Sequence, residues 1–527
     1  METDTIIKIV LALVPFVSLF GGFLLFHWGS LKTVVITCVI EFIIAVVYYH
    51  GSPMQTAEAA LWGSVAVWPT LLITFTAQIF GYCYRKTGLM RVMLDSISEL
   101  LPRDEVGHAC ALLGPVAGVF SNFEARASYP VVVPGLVELG YNPVQASGAA
   151  LVFLTWIMPF QGLMIGAIIA NLATHVPIPN IATAVGQFAI PDIFLCTYAT
   201  FHILGLKFFN RESQIFFWLT TLPYVLSIFA FTQIWPHFYA LGLIAGAVLN
   251  IASLYIYGML RRRGAVVVGD LAAGTRTAPA TLSAAATPAS APASGPDWAR
   301  IGRGWGPLLV GFAYAAFMLS AWGSSLLSHL SFTLSATGFK PVIVNVFNTP
   351  AMPVLIGALS AYLFRTERSN MVSDIGHGLY RGISPMLTFV FGVGVMYLLV
   401  FTKQIDFLGS VMSSGGETLF KLVDAGLVVA GGTIFGSGTP TIFTFSTMQL
   451  PAISQFGLPL TLLLGMVVVG GIGVTNACKP PNLRFVANLV DVKSEQDWEI
   501  FSIGLKWVGW QVALFTALLF ILVPFWK

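Results

Sequence analysis

Apolar stretches of about 20 residues, each long enough to cross the hydrocarbon of a bilayer, follow one another along this chain with only short polar or basic connections between them. They fall near residues 6–27, 32–50, 59–84, 144–172, 189–208, 214–234, 238–260, 305–326, 342–364, 383–402 and 503–526. With a further segment near 405–430 and two broken elements, the pattern predicts roughly 12 to 14 membrane elements in an all-α polytopic protein. One stretch differs. Leu89, Val92, Met93 and Ile97 recur at helical spacing among polar residues, which predicts a short amphipathic helix, lying on the membrane surface or serving as a connection.

Two regions interrupt the apolar pattern with glycine, proline and charge. Residues 114–166 begin GPVAGVFSNFEARASYP; residues 430–482 begin AGGTIFGSGTPTIFTFSTMQLP and end in GIGVTNACKPPN. Irregular backbone survives at membrane depth only where it is buried in protein or lines a cavity, because nothing else satisfies its N–H and C=O groups. Matching breaks in two halves predict an inverted repeat with two broken or re-entrant helical hairpins, about 106–136 and about 430–450, and point to a transporter's binding site. FTKQIDFLGSVMSSGG and YRKTGLMRVMLDSISE resemble each other and precede the two breaks by similar distances. Basic residues gather at 85–103, 207–211, 261–303 and 365–381, which places those loops in the cytoplasm. The expected division is an N-terminal membrane repeat over 1–260, a flexible cytoplasmic linker rich in Ala, Pro, Ser and Thr over 261–303, and a C-terminal membrane repeat over 304–527.

Composition narrows the function classes. Of 527 residues only 9% are charged, against about a quarter in a soluble chain, so lipid is the main solvent. The net charge of +3 is small and scattered, which argues against nucleic acid as a partner. Five cysteines, odd in number and without C-x-x-C spacing, predict neither a disulfide framework nor a metal site. The N-terminus lacks a basic start and a cleavage site, and reads as a retained first span. There is no P-loop and no H-E-x-x-H pairing, so ATP-driven transport and hydrolysis are disfavoured, and no cofactor is expected.

The candidate chemistry lies in the breaks. A charge at the bilayer centre costs at least about 2.5–3.5 kcal/mol, so intramembrane ionisable groups pair or face a wet cavity. Arg126 carries a planar fork suited to a substrate carboxylate, and Glu124 is placed to carry a coupled proton; the alternative is that the two neutralise each other or lie at the interface. Asn122 and Ser128 flank them. Ser437, Thr439 and Thr441 offer hydroxyls beside half-helix N-termini, as donors to an anion or as ligands of sodium, or else simply allow close helix packing. Asn476, Lys479 and Asn482 lie beside Pro480 and Pro481 in what reads as unwound backbone, although Lys479 and Arg484 would also fit snorkelling to a surface. Gln161 holds the corresponding place in the first half. Glu41 and Asp192 sit in apolar runs without an evident partner.

KTGLMRVMLDSISELLPRDE, GVFSNFEARASYPVVVPGLVELGYNPVQASGAAL, IFGSGTPTIFTFSTMQ and GGIGVTNACKPPN together resemble the bacterial L-lactate permease family. The resemblance implies a proton-coupled importer of lactate and glycolate in a bacterial inner membrane. It further implies an inverted repeat with hairpins, an elevator-like movement, and a homodimer of the kind common among elevator carriers. The chain departs from the family at both breaks. Where the family has Glu-Gly-Ala-Ala-Gly-Phe-Gly, residues Asn122 to Ser128 turn the acid into an amide, bring in Glu124, and put Arg126 in place of a glycine. Where it has Gly-Ser-Asp-Thr-Ser-Ser-Asn, Gly436 to Ile442 lose an acid and an amide. Lys479 and Arg484 stand where the family tends to be uncharged. Fewer acids and more bases favour a more anionic substrate. The expected function is proton symport of a small organic anion resembling a 2-hydroxy acid; the alternatives are a sodium-coupled carrier of a dicarboxylate or sulfonated acid, and an anion channel.

Overall fold

The computed structural model describes residues 3–101, 105–122, 125–263, 297–335 and 341–526. Among these, nine helices are long and apolar enough to cross a membrane, or up to eleven if each of two bent pairs is one span. The protein is a multi-pass helical membrane protein. The count falls below the expected 12 to 14 because several apolar segments are divided into helices too short to cross alone, among them Val106–Ser121, Tyr129–Glu138, Pro143–Phe153 and Met164–Thr174. A small ribbon departs from the all-α expectation: Phe332–Leu334 pairs antiparallel with Val342–Val344, Thr333 opposite Ile343.

Local chemistry explains the bends and ends. Pro53–Ala66 and Trp68–Lys86 meet at 57°, where Val67 leaves helical geometry and Pro69 has no N–H to continue the ladder. The helix Gly242–Arg262 ends in basic residues. The next described helix starts at Trp298, with the Asp297 carboxylate accepting from the N–H groups of Ala299 and Arg300 at 3.0 and 3.1 Å. Helix therefore begins inside the stretch assigned to the linker, whose residues 264–296 lie outside the described ones. The amphipathic helix Leu89–Leu100 is a packed connection: Leu89, Met90, Met93 and Ile97 are buried, and Trp305 donates to the Ser96 hydroxyl at 2.9 Å.

Among the described residues, two helical elements fold back and two apolar spans are interrupted by irregular backbone. The first fold-back enters as Glu105–Ala111, passes a π-turn at Leu112–Val116 and reaches Ser121; it returns as Tyr129–Glu138. Pro115 lies within the π-turn, whose wider ring accommodates the missing N–H. The arms touch, since a methyl on Gly135 would stand 2.9 Å from Leu112 Cδ1. The second enters as Glu417–Phe435 and returns through Gly438–Met448 and Leu450–Phe456. Here a methyl on Gly431 would stand 2.4 Å from Phe445 Cζ. Gly436, at φ +64°, supplies the left-handed residue that ends the entering arm.

The interrupted spans are Pro143–Phe153 with Gln161–Thr174, and Leu460–Val468 with Pro480–Leu489. Between their halves lie irregular backbone and single 3₁₀ turns at Met158–Phe160 and Val474–Ala477, the second preceded by a π-turn at Val469–Gly473. The two irregular stretches touch: a methyl on Gly473 would be 2.5 Å from the Thr155 carbonyl oxygen. Gly473→Ala is therefore expected to push them apart and destabilise the fold by about 1–3 kcal/mol. A thermal melt of the purified variant in detergent should show a lowered midpoint, and an unchanged midpoint would mean that this close approach is not needed.

Candidate functional site

Four irregular stretches converge: the two fold-back tips and the two interrupted spans. The first tip is tied to the second interrupted span by side chains. Arg126 Nε donates to Asn482 Oδ1 at 3.1 Å. Asn482 Nδ2 donates to Asn476 Oδ1 at 2.7 Å. The Tyr129 hydroxyl lies 2.9 Å from Asn476 Oδ1, to which it donates, and accepts from Asn476 Nδ2 at 2.7 Å. Asn476 Nδ2 also reaches the Leu151 carbonyl at 3.0 Å, in the first interrupted span. Arg126 is 5% exposed, and Tyr129, Asn476 and Asn482 are fully buried. The Arg126 guanidinium also sits 5.1 Å from the Phe389 ring centroid, on the long helix Met371–Phe401. A fixed cation in a buried amide network is suited to a carboxylate, because hydrogen bonds to an ionised partner are the strong ones.

The second tip meets the same region through backbone. A methyl on Gly436 would stand 3.2 Å from Pro481 Cγ, and one on Gly438 would stand 2.1 Å from Ile472 Cγ1. The helix Gly438–Met448 starts here without a side-chain cap from Ser437, so its positive dipole end faces the convergence. The half-helix Pro480–Leu489 starts here as well. Its first two residues are prolines, and the N–H groups of Asn482 and Leu483 are bonded to the Lys479 carbonyl at 3.0 Å each. This half-helix lends the site its dipole, and the hydrogen-bond donors come from side chains. Its far end is closed by two arginines: Arg85 donates to the Leu489 carbonyl at 2.7 Å, and Arg381 to that of Asn488 at 3.2 Å.

The chain is 23% identical to the L-lactate permease of Bacillus subtilis (strain 168) over 511 residues. The match takes in 89% of this chain and 88% of that permease. No protein-family model matches the chain.

The other candidates from sequence divide by what holds them. Asn122 uses its amide on the end of its own helix, donating to the Gly118 carbonyl at 2.8 Å. Its carbonyl accepts from Gly162 N at 3.0 Å, tying the first tip to the first interrupted span just after Gln161, which is buried. Ser128 is buried at the start of Tyr129–Glu138. Ser437 is buried, but Thr439 is exposed. The Thr441 hydroxyl donates back to the Ser437 carbonyl at 2.5 Å, within its own helix. Lys479 is buried rather than snorkelling. Its Nζ lies 3.5 Å from the Gly471 carbonyl, which also accepts from the Thr475 hydroxyl at 2.8 Å. That carbonyl is loosened by the π-turn, so Lys479 helps hold the irregular backbone.

Arg484 is likewise not at a surface. Its Nη1 pairs with Asp497 at 2.9 Å with both side chains buried, and Nη2 reaches the Val492 carbonyl at 2.7 Å. Its charge is neutralised away from Arg126's network. Glu124 lies outside the described residues. Sequence reasoning did not single out Tyr129 or Phe389, since a tyrosine beside a proline and a phenylalanine in an apolar helix carry no local signal of a shared site.

Proposed function

We propose that the protein is a secondary carrier of a small organic anion of the lactate and glycolate class, driven by proton symport across a bacterial inner membrane. The observation that carries this reading is the buried Arg126–Asn482–Asn476–Tyr129 network where a fold-back tip crosses an interrupted span. Arg126 provides charge for a carboxylate, and the amide and phenol groups provide partners for a neighbouring hydroxyl. Likeness to a lactate permease over most of both chains supports the substrate class, and a permease rather than an enzyme. Burial of the network supports a carrier that exposes its site by moving, since a channel would leave it open to water.

Arg484, engaged with Asp497, does not add to the positive charge at the network, which favours a monoanion. Buried Lys479 is the observation that keeps a dianion as the second reading. The deciding experiment is radiolabelled L-lactate uptake into proteoliposomes under imposed proton or sodium gradients, with unlabelled mono- and dianions as competitors. Proton-driven accumulation blocked by glycolate supports the proposal. Sodium-driven uptake, or competition by dicarboxylates alone, replaces it with the second reading, and flux without accumulation replaces it with a channel.

A further inference from the structure

Three fully buried carboxyl groups are each matched to a glutamine: Glu41 with Gln404 at 2.5 Å, Asp424 with Gln449 at 2.8 and 2.7 Å, and Asp192 with Gln511 at 2.9 and 3.1 Å. None of the three makes an ion pair among the described residues. In all three pairs Nε2 faces the acid, and Oε1 of Gln404, Gln449 and Gln511 is buried without a partner. An ionised carboxylate in such surroundings is expensive, whereas a protonated one forms two complementary bonds with an amide: its O–H to the amide oxygen, and the amide N–H to its carbonyl. Rotating the Gln511 amide so that Oε1 faces Asp192 beside Nε2 lets the orphaned oxygen accept the carboxyl proton, and which way an amide points is set by the network around it.

Among the described residues, one of the three pairs hydrogen-bonds to an interrupted span. Gln511 Nε2 also donates to the Thr155 hydroxyl at 2.9 Å, and the Cys196 sulfur lies 3.0 Å from that hydroxyl. Thr155 belongs to the irregular stretch of the first span, and its carbonyl lies against Gly473, three residues before Asn476. Asp424 and Gln449 instead join the two arms of one fold-back, and Glu41 and Gln404 join Ser30–Val47 to Gln404–Ser414. The surroundings of Asp192 are otherwise neutral. Cys196 on its own helix is the titratable group that faces it, and the packed helices Pro143–Phe153, Gln161–Thr174 and Leu460–Val468 carry no titratable residue. Arg211, Glu212, Tyr224, His237, Tyr239, Asp497, Glu499 and Lys506, on Arg211–Phe229, Pro236–Leu241 and Asp497–Leu522, make no hydrogen bond or ion pair with it among the described residues.

We infer that Asp192, with Gln511, Thr155 and Cys196, is the proton-binding site that couples to the anion site through the two interrupted spans. This rests on the carrier reading above. Protonation converts the carboxylate to a carboxyl and turns the Gln511 amide. The resulting change in the bond to Thr155 passes through the Thr155–Gly473 contact to Asn476. One contiguous set of packed groups thus links the proton site to the anion site, and the coupling between them acts in both directions.

The test uses Asp192→Asn of the full chain in proteoliposomes. Accumulation of radiolabelled L-lactate driven by a pH gradient should fall at least about tenfold, while lactate exchange at equal pH stays within about twofold of wild type, as expected for loss of coupling rather than of substrate binding. Accumulation equal to wild type overturns the inference. If Asp192→Asn does not yield folded protein, Thr155→Val serves instead: it should lower the pH-driven accumulation ratio, and an unchanged ratio overturns the inference. A wild type that moves no lactate would refute the carrier reading alone, because infrared spectra in detergent judge the site separately. A protonated-carboxyl band at neutral pH that is missing from Asp192→Asn supports the proton site, and identical carboxyl bands in the two proteins overturn it.

Discussion

Replacing Arg126 with alanine should reduce concentrative L-lactate uptake to the background of empty vesicles while leaving a folded protein. The guanidinium is buried at a fold-back tip, donates through Nε to Asn482, and stacks against Phe389. If it also holds the substrate carboxylate, its removal strips a buried anion of its counter-charge. Losses of this kind cost about 2–5 kcal/mol, or about 30-fold to several thousand-fold in affinity. The structural cost is smaller, since the orphaned Asn482 Oδ1 is one acceptor worth about 1–3 kcal/mol. Arg126→Lys should recover little, because lysine keeps the charge but loses the planar fork. Uptake kinetics beside a detergent thermal melt would separate the two effects. Arg126→Ala with normal uptake would remove the anion site from this network.

Asp497→Ala should instead cost the protein its fold. Asp497 is fully buried and holds two elements at once: Arg484 Nη1 at 2.9 Å, and the backbone N–H of Ser30 at 3.0 Å, where the second helix begins. Truncating it leaves a buried guanidinium without its counter-ion, a change worth about 3–5 kcal/mol. Expression should drop sharply, and any protein recovered should melt earlier and elute as aggregate. The double variant Arg484→Met/Asp497→Leu is expected to restore much of the stability, because it removes both charges together, although Ser30 N–H stays unsatisfied. Equal stability of Asp497→Ala and wild type would show that this pair sits in wetter surroundings than its burial indicates.

The two predictions separate residues that look alike in sequence. Arg126, Lys479 and Arg484 are three bases in apolar chain, the first two at helix breaks and the third within the half-helix that follows Lys479. Arg126 joins an amide network, Lys479 braces a π-turn carbonyl, and Arg484 is consumed by an acid 13 residues away. Charge pattern told where bases lie within the membrane protein but not which partners they had. Likewise Asn122 and Thr441 had the right chemistry for ligands, yet both donate to backbone of their own helices. Short polar side chains at a helix end always have that local option, and sequence cannot say when they take it.

What the sequence determined by itself was the class of solvent and the positions of the breaks. Runs of about 20 apolar residues leave few alternatives to membrane helices, and glycine with proline in such runs marks where a helix cannot continue. That helix is interrupted at Gly436 and before Pro480 was legible on those grounds, because both follow from one residue's backbone and its neighbours. Tertiary structure decided which breaks meet. The bonds from Arg126 to Asn482 and from Asp192 to Gln511 join residues 356 and 319 positions apart. Such contacts depend on how helices pack after insertion, where small residues set the approach of one backbone to another. Gly473 against Thr155 is one such approach, and no local pattern in either segment announces the other.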